Sequence, residues 1–216
     1  MGEWPTGRQR AAFAGGSVRP RWTALALRLS SWRAVLLIRY LRPFVVVLAV
    51  AGGEVRSAAQ NIADEYRLKA AFVYQFPQFV EWPAGAVEAA PAISLCVARP
   101  SPFGPVLEQL VRGESLKGRP LTVREIASAA DLAGCHVVFA PAKSGLTAGL
   151  LKAAAGRPIL TVGDADRFLD AGGIIALRVV DRRVRFEVNV AAAKTAGLHV
   201  SSQLLDLALR VHGGPS

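Results

Sequence analysis

Catalysis and metal binding need particular side chains at particular spacings, and this 216-residue chain supplies few of them. His136, His199 and His212 are scattered, without the HxxxH or HExxH spacing that sets two imidazoles on one helix face, so no metal site is expected. "PAKSG" at 141–145 lacks the GxxxxGK(S/T) pattern of a phosphate loop, and no GxSxG nucleophile elbow occurs. Asp164 and Asp166 follow a strand-like run, where α/β folds place ligands, but an acidic turn that initiates a helix explains them better than a catalytic pair. The clearest polar pattern lies in "RVRFEVN". Val184, Phe186, Val188 and Val190 alternate with Arg185, Glu187 and Asn189, so a cation, an anion and an amide share one strand face. Such a face suits a small zwitterion or a partner's strand, or it is a solvated edge whose charge prevents aggregation. Cys96 and Cys135 are the only cysteines, compatible with one disulfide or with two buried thiols. The set reads as a non-enzyme without cofactor.

The elements that must position these residues are legible from periodicity. From Ile62 to Val80, apolar residues at Ala63, Tyr66, Ala70, Val73, Phe76 or Pro77, and Val80 recur at helical spacing, with Asp64 and Glu65 in the first turn, where the helix dipole favours them. Pro77 lacks an amide donor and Pro83 constrains Trp82, so helix must kink or stop there. Ile93–Ala98 is nearly all apolar, the pattern of a strand buried on both faces. A helix over "PVLEQLV", strands at Leu121–Ile126, His136–Ala140 and Pro158–Val162, and a helix at Leu146–Ala155 follow. This alternation predicts a three-layer α/β sandwich with a mostly parallel central sheet. "GGIIALRVVDRRVRFEVNV" instead predicts an antiparallel edge hairpin turning at Asp181-Arg182, and Ala191–Val211 reads as one closing amphipathic helix.

The net charge of +10 at first suggests nucleic acid, but its distribution excludes that. Residues 1–42 hold eight arginines and one glutamate, whereas residues 60–216 hold seventeen Lys/Arg against fourteen Asp/Glu. The basic stretch precedes an apolar run, Phe44 to Gly52, and then the small residues of "VRSAAQ", the three parts of a secretory signal. The run is shorter than the roughly 20 residues that span a bilayer. The organisation expected is an arginine-rich leader and signal peptide at 1–59, cut after Ala59 or Ser57, and one α/β domain at 60–212. An uncleaved anchor is the alternative.

Three pieces together carry a resemblance: "YRLKAAFVYQFPQFVEWP", "PILTVGDADRFLDAGGIIALRVVDRRVRFEVNVAAAKTAGLHVSSQLLDLA", and the strand holding Cys96. Over nearly all of Glu65–Val211 the chain resembles the YfiR-like family of bacterial periplasmic proteins. Its motifs are the aromatic helix ending in Glu-Trp-Pro, the Gly172-Gly173 turn, the Arg-Phe-Glu-x-Asn strand and the terminal Gly-Leu-x-x-Ser-Ser-x-Leu-Leu helix. The long arginine-rich leader departs from the pattern. The resemblance implies a periplasmic regulator that restrains an inner-membrane diguanylate cyclase, or another sensor protein, by direct contact, lowering cyclic-di-GMP and biofilm formation. It also implies an outer-membrane lipoprotein as a sequestering partner, a homodimer, and a disulfide at Cys96–Cys135. A small-molecule sensor of similar fold, with a ligand near Ser101–Gly104, Ser144–Gly145 and Gly163–Asp166, is the rival reading.

Against that background, Phe72, Phe76 and Phe79 are expected to pack on the sheet. Glu81 and Trp82, at the end of the helix, join Arg185, Glu187 and Asn189 as candidates for a partner surface.

Overall fold

A computed structural model describes residues 60–214. The expected leader, its cleavage point and the signal segment lie outside the described residues. Helix α1 covers 60–75 and tightens into a 3-10 turn at Phe76–Phe79, with Pro77 among its first residues. Proline is tolerated there because the first helical amides have no internal partner. Regular helix thus ends at the turn holding Pro77, as its missing amide donor requires, although the apolar periodicity runs on to Val80. Val80–Glu81 is a short strand, β1.

Next come β2 (Ile93–Ala98), α2 (Val106–Val111), β3 (Ser115–Leu116), β4 (Arg119–Ile126), β5 (Val137–Ala140), α3 (Thr147–Ala154) and β6 (Leu160–Gly163). The hairpin is β7 (Ile175–Val180) and β8 (Arg183–Asn189). With β10 (Arg210–His212) at one edge, the eight-stranded sheet runs β10-β8-β7-β6-β5-β2-β4-β3. Its centre, β7-β6-β5-β2-β4, is parallel, and β8 is antiparallel to β7. Asp181 and Arg182 at the turn both have left-handed backbone, with φ of 49° and 59°. Two such residues make the tight turn whose twist matches the strands, here without glycine.

The period of two along each central strand sorts side chains into two cores. Ile93, Leu95 and Val97 of β2, Val137 and Phe139 of β5, and Ile175 and Leu177 of β7 face one side, against Ala70, Val73 and Phe76 of α1 and Leu107 and Val111 of α2. Cys96, Val138, Ala140 and Ala176 face the other, against Leu150, Leu151 and Ala154 of α3. Helix, sheet and helix form the expected three layers. Of the three helix phenylalanines, Phe76 is fully buried and Phe72 and Phe79 pack on the same core.

The single C-terminal helix expected over Ala191–Val211 does not form. The structure has α4 (Val190–Thr195), β9 (His199–Val200), α5 (Ser202–Leu207) and β10 (Arg210–His212) instead. Gly197, at φ 72°, ends α4 in left-handed geometry. Its amide donates to the Lys194 carbonyl and that of Leu198 to the Ala193 carbonyl, satisfying groups that a longer helix would have used. Val200 then pairs with Val80 across β1. The Ser201 hydroxyl caps α5 by accepting from the Leu204 amide, and the chain returns as β10, parallel to β8. Leu198, Val200 and Leu204 remain buried, whereas Leu209 is 49% exposed.

Candidate partner-binding site

Parallel α/β sheets open a crevice beyond the carboxyl ends of their strands, and small ligands usually enter there. In this chain the protein's own side chains fill it. Asp164 follows β6 directly, and its carboxylate accepts from Lys69 Nζ at 2.7 Å, from the Tyr66 hydroxyl at 3.1 Å and from the Ala142 amide at 2.7 Å. Lys69 also meets Glu65 at 2.5 Å, one helical turn back. The Lys69 and Asp164 side chains are only 5% and 4% exposed, so the pair is enclosed. Burial, and then the Asp164 charge, push the Tyr66 hydroxyl up to about 12. Beside it Phe103, from the loop after β2, packs edge-on to Tyr66 and against Phe139. Helix α1 is thus pinned over the strand ends by a buried ionic cluster. Periodicity placed Tyr66 on the inner face of α1, but nothing local marked Lys69 as the partner of an aspartate 95 residues away.

The hairpin face is built differently. Phe186 turns inward at 4% exposure, stacking edge-on to Phe76, while Arg185 is exposed on the opposite face, as alternation requires. Glu187 departs from the expectation that it stands free on that surface. It is buried, with Arg178 at 3.7 Å, Arg210 at 3.8 Å and His212 at 3.7 Å. Arg178 of β7 and Arg210 of β10 stand on either side, and together they offset the cost of burying its charge. Asn189 is also committed internally. Its side-chain oxygen accepts from the Ala192 amide as the cap of α4, and its amide donates to the Leu169 carbonyl.

Trp82 is corrected as well. It is 7% exposed, and its indole N–H donates to the Pro158 carbonyl at 3.1 Å, so it belongs to the core rather than to a contact surface. Glu81 stays exposed, in register with His199 of β9. Of the five residues singled out, Arg185 and Glu81 are exposed, Asn189 is half-buried, and the two exposed ones lie on different strands and sheets.

Cys96 and Cys135 are joined as a disulfide, both buried. Arg124, level with Cys96 on β4, places its guanidinium 3.2 Å from the Cys135 sulfur and 2.7 Å from the Ala133 carbonyl, closing off that end of the bridge. The Gly172-Gly173 turn has a packing role. A Cβ on Gly173, or on Gly163 at the end of β6, would collide with the ring of buried Phe168. Among the described residues no helix is long and apolar enough to cross a membrane.

Comparison with known proteins accords with these motifs. The sequence profile of the YfiR/HmsC-like family matches residues 66–209, about two thirds of the chain. No curated protein matches. Among solved structures, a conserved domain protein from Vibrio cholerae is similar at a TM-score of 0.44 and 11% identity, over 68% of this chain and 60% of that one. The ABC domain from Streptococcus pneumonia in complex with L-Trp is similar at a TM-score of 0.40 and 9% identity, over 55% of each chain. This chain therefore spans less than two thirds of either structure.

Proposed function

This chain belongs to the YfiR/HmsC-like family, and we propose that it is a non-enzymatic periplasmic regulator that restrains an inner-membrane diguanylate cyclase by protein–protein contact. Export by the leader at 1–59, release of a domain at 60–212, homodimer formation and sequestration by an outer-membrane lipoprotein are parts of the same proposal.

One observation carries the choice of contact over small-molecule sensing. The crevice where a ligand would enter is filled by Tyr66, Lys69 and Asp164, while exposed arginines stand on the β7–β8 hairpin. A regulator of this kind works by differential affinity. To move a cyclase from equal active and inactive populations to about 1% active, it must bind the inactive form about 100-fold more tightly, about 2.7 kcal/mol.

The test is cellular cyclic-di-GMP in a deletion strain, complemented with the wild-type chain. A rise on deletion that complementation reverses is expected. An unchanged level, with unchanged surface attachment, would refute the regulator reading. N-terminal sequencing of protein from the periplasmic fraction should begin between Ala58 and Asn61, and retention of residues 1–42 would refute export by cleavage.

A further inference from the structure

One corner of the sheet carries more positive charge than the fold needs. In the β7–β8 ladder Arg178 stands directly opposite Arg185, and Val180 opposite Arg183. In the β8–β10 pairing Arg210 is level with Glu187. Because side chains alternate between faces, Arg178, Arg183, Arg185 and Arg210 all emerge on one face of three adjacent strands. Like charges directly opposite each other weaken an antiparallel pair, so the Arg178–Arg185 juxtaposition costs stability. Within these strands the one carboxylate on that face is Glu187, already engaged by Arg178, Arg210 and His212. Arg183 and Arg185 are exposed and form no ion pair among the described residues. With Val180, Asp181 and Leu209 they line a groove of about 410 Å³.

The groove opens ahead of β10, alongside the β8 residues that β10 does not reach, and β10 is the last strand of the sheet, its outer edge without a strand neighbour among the described residues. The Leu209 amide is turned inward, donating to the Phe186 carbonyl at 2.8 Å. Backbone groups alternate in direction along a strand, so those of Arg210 and His212 point away from β8, available to another strand. Leu209 and Val211 flank them at 49% and 40% exposure. Protection of an edge against aggregation accounts for Arg210, and the Ala165 and Asp166 carbonyls hold Arg178 two strands further in, but neither accounts for Arg183 and Arg185 on β8, nor for the exposed apolar pair.

We propose that this corner receives an extended, carboxylate-bearing segment of the partner protein, added as a strand along β10. Main-chain hydrogen bonds to Arg210 and His212 supply affinity, and alternate side chains supply specificity. Side chains on one face of the added strand meet the arginines, whose planar guanidinium groups suit bidentate carboxylate contacts. Those on the other face lie beside Leu209 and Val211. The recognised segment therefore alternates Asp or Glu with apolar residues. The proposal rests on the reading of the chain as a contact regulator and specifies the chemistry of the contact.

The test uses the protein purified as the cell processes it and a fluorescein-labelled eight-residue peptide alternating glutamate and valine. A lysine–valine peptide of the same length and phosphatidylglycerol vesicles are the comparison arms. Binding of the acidic peptide is expected to weaken with salt. Arg183→Glu with Arg185→Glu should weaken it at least tenfold, while Lys152→Glu with Arg112→Glu, the same change in net charge elsewhere on the surface, should leave it within about twofold. Melting curves establish that both variants fold, and Arg185→Gln replaces the first if it melts early. No binding of the acidic peptide at millimolar concentration, equal binding of the lysine peptide, indifference to the hairpin variant, or binding to the vesicles alone would each overturn the proposal. In cells the two readings separate. A rise in cyclic-di-GMP on deletion, with full restraint by the folded hairpin variant, defeats this inference and leaves the regulator standing. No effect of deletion defeats the regulator reading, while the peptide result still decides whether the corner binds acidic strands.

Discussion

Replacing Lys69 by methionine keeps the length and the apolar stem of the side chain and deletes the ammonium. What remains is an aspartate 4% exposed, held by the Tyr66 hydroxyl and the Ala142 amide but without its cation. Glu65, the other partner of Lys69, is 30% exposed and can return to water, so the penalty falls on Asp164. Breaking a buried pair from one side costs about 3–5 kcal/mol, because the surviving charge is uncompensated. For a folded unit of this size each kcal/mol moves the melting temperature by about 2–4 °C, so a fall of about 6–20 °C is expected. Asp164→Asn is the gentler change, since an amide oxygen can still accept from Ala142. A lost charge-assisted bond puts its cost at about 1.5–3 kcal/mol. Thermal unfolding followed by circular dichroism, with the disulfide intact, gives both values. Asp164→Asn should also lower the Tyr66 ionisation from about 12, read by ultraviolet titration, because the Asp164 charge is its second-largest cause after burial. A melting shift below about 3 °C for Lys69→Met, or a smaller loss than for Asp164→Asn, would refute the view that this cluster pins α1 to the sheet.

Cys135→Ser should cost about 4 kcal/mol in the chain-entropy model for a loop closed over 39 residues, measured by urea unfolding with and without reductant. His136 is held below the usual histidine value by burial, and its Nδ1 accepts from the Ser94 amide. Folding therefore favours the neutral ring, and its contribution is present above about pH 6.5 and lost as pH falls through the lowered folded value. His136→Asn should flatten that part of the stability–pH curve. Phe186→Ala should cost about 3–5 kcal/mol by emptying a packed site against Phe72 and Phe76, while Arg185→Ala should stay within about 0.5 kcal/mol. Reduced restraint of cyclic-di-GMP by Arg185→Ala, at unchanged melting temperature, is the signature of a contact residue.

Periodicity alone determined the layers. Nearly continuous apolar runs at β2, β5 and β6 belong to strands covered on both sides, and alternating runs with charges belong to the hairpin, because side-chain direction is dictated by local backbone geometry. The inward Phe186 and outward Arg185 follow from the same rule. What local pattern could not decide is which competing structure a segment adopts once its neighbours are present. Leu198, Leu205 and Leu209 fall on one face at helical spacing, yet Gly197 ends the helix and the ladder partners Val80 and Val188 draw the chain into β9 and β10. The same holds for polar residues. Trp82, Glu187 and Asn189 look like surface chemistry until Pro158, Arg178, Arg210 and Leu169 arrive from distant parts of the chain to satisfy them. Alternation along the backbone is a one-residue property and is written in the sequence. Burial and pairing of a polar group depend on partners that only the folded topology brings within hydrogen-bond distance, and so the closed crevice at Asp164 and the unbalanced arginines beside β10 emerged only in three dimensions.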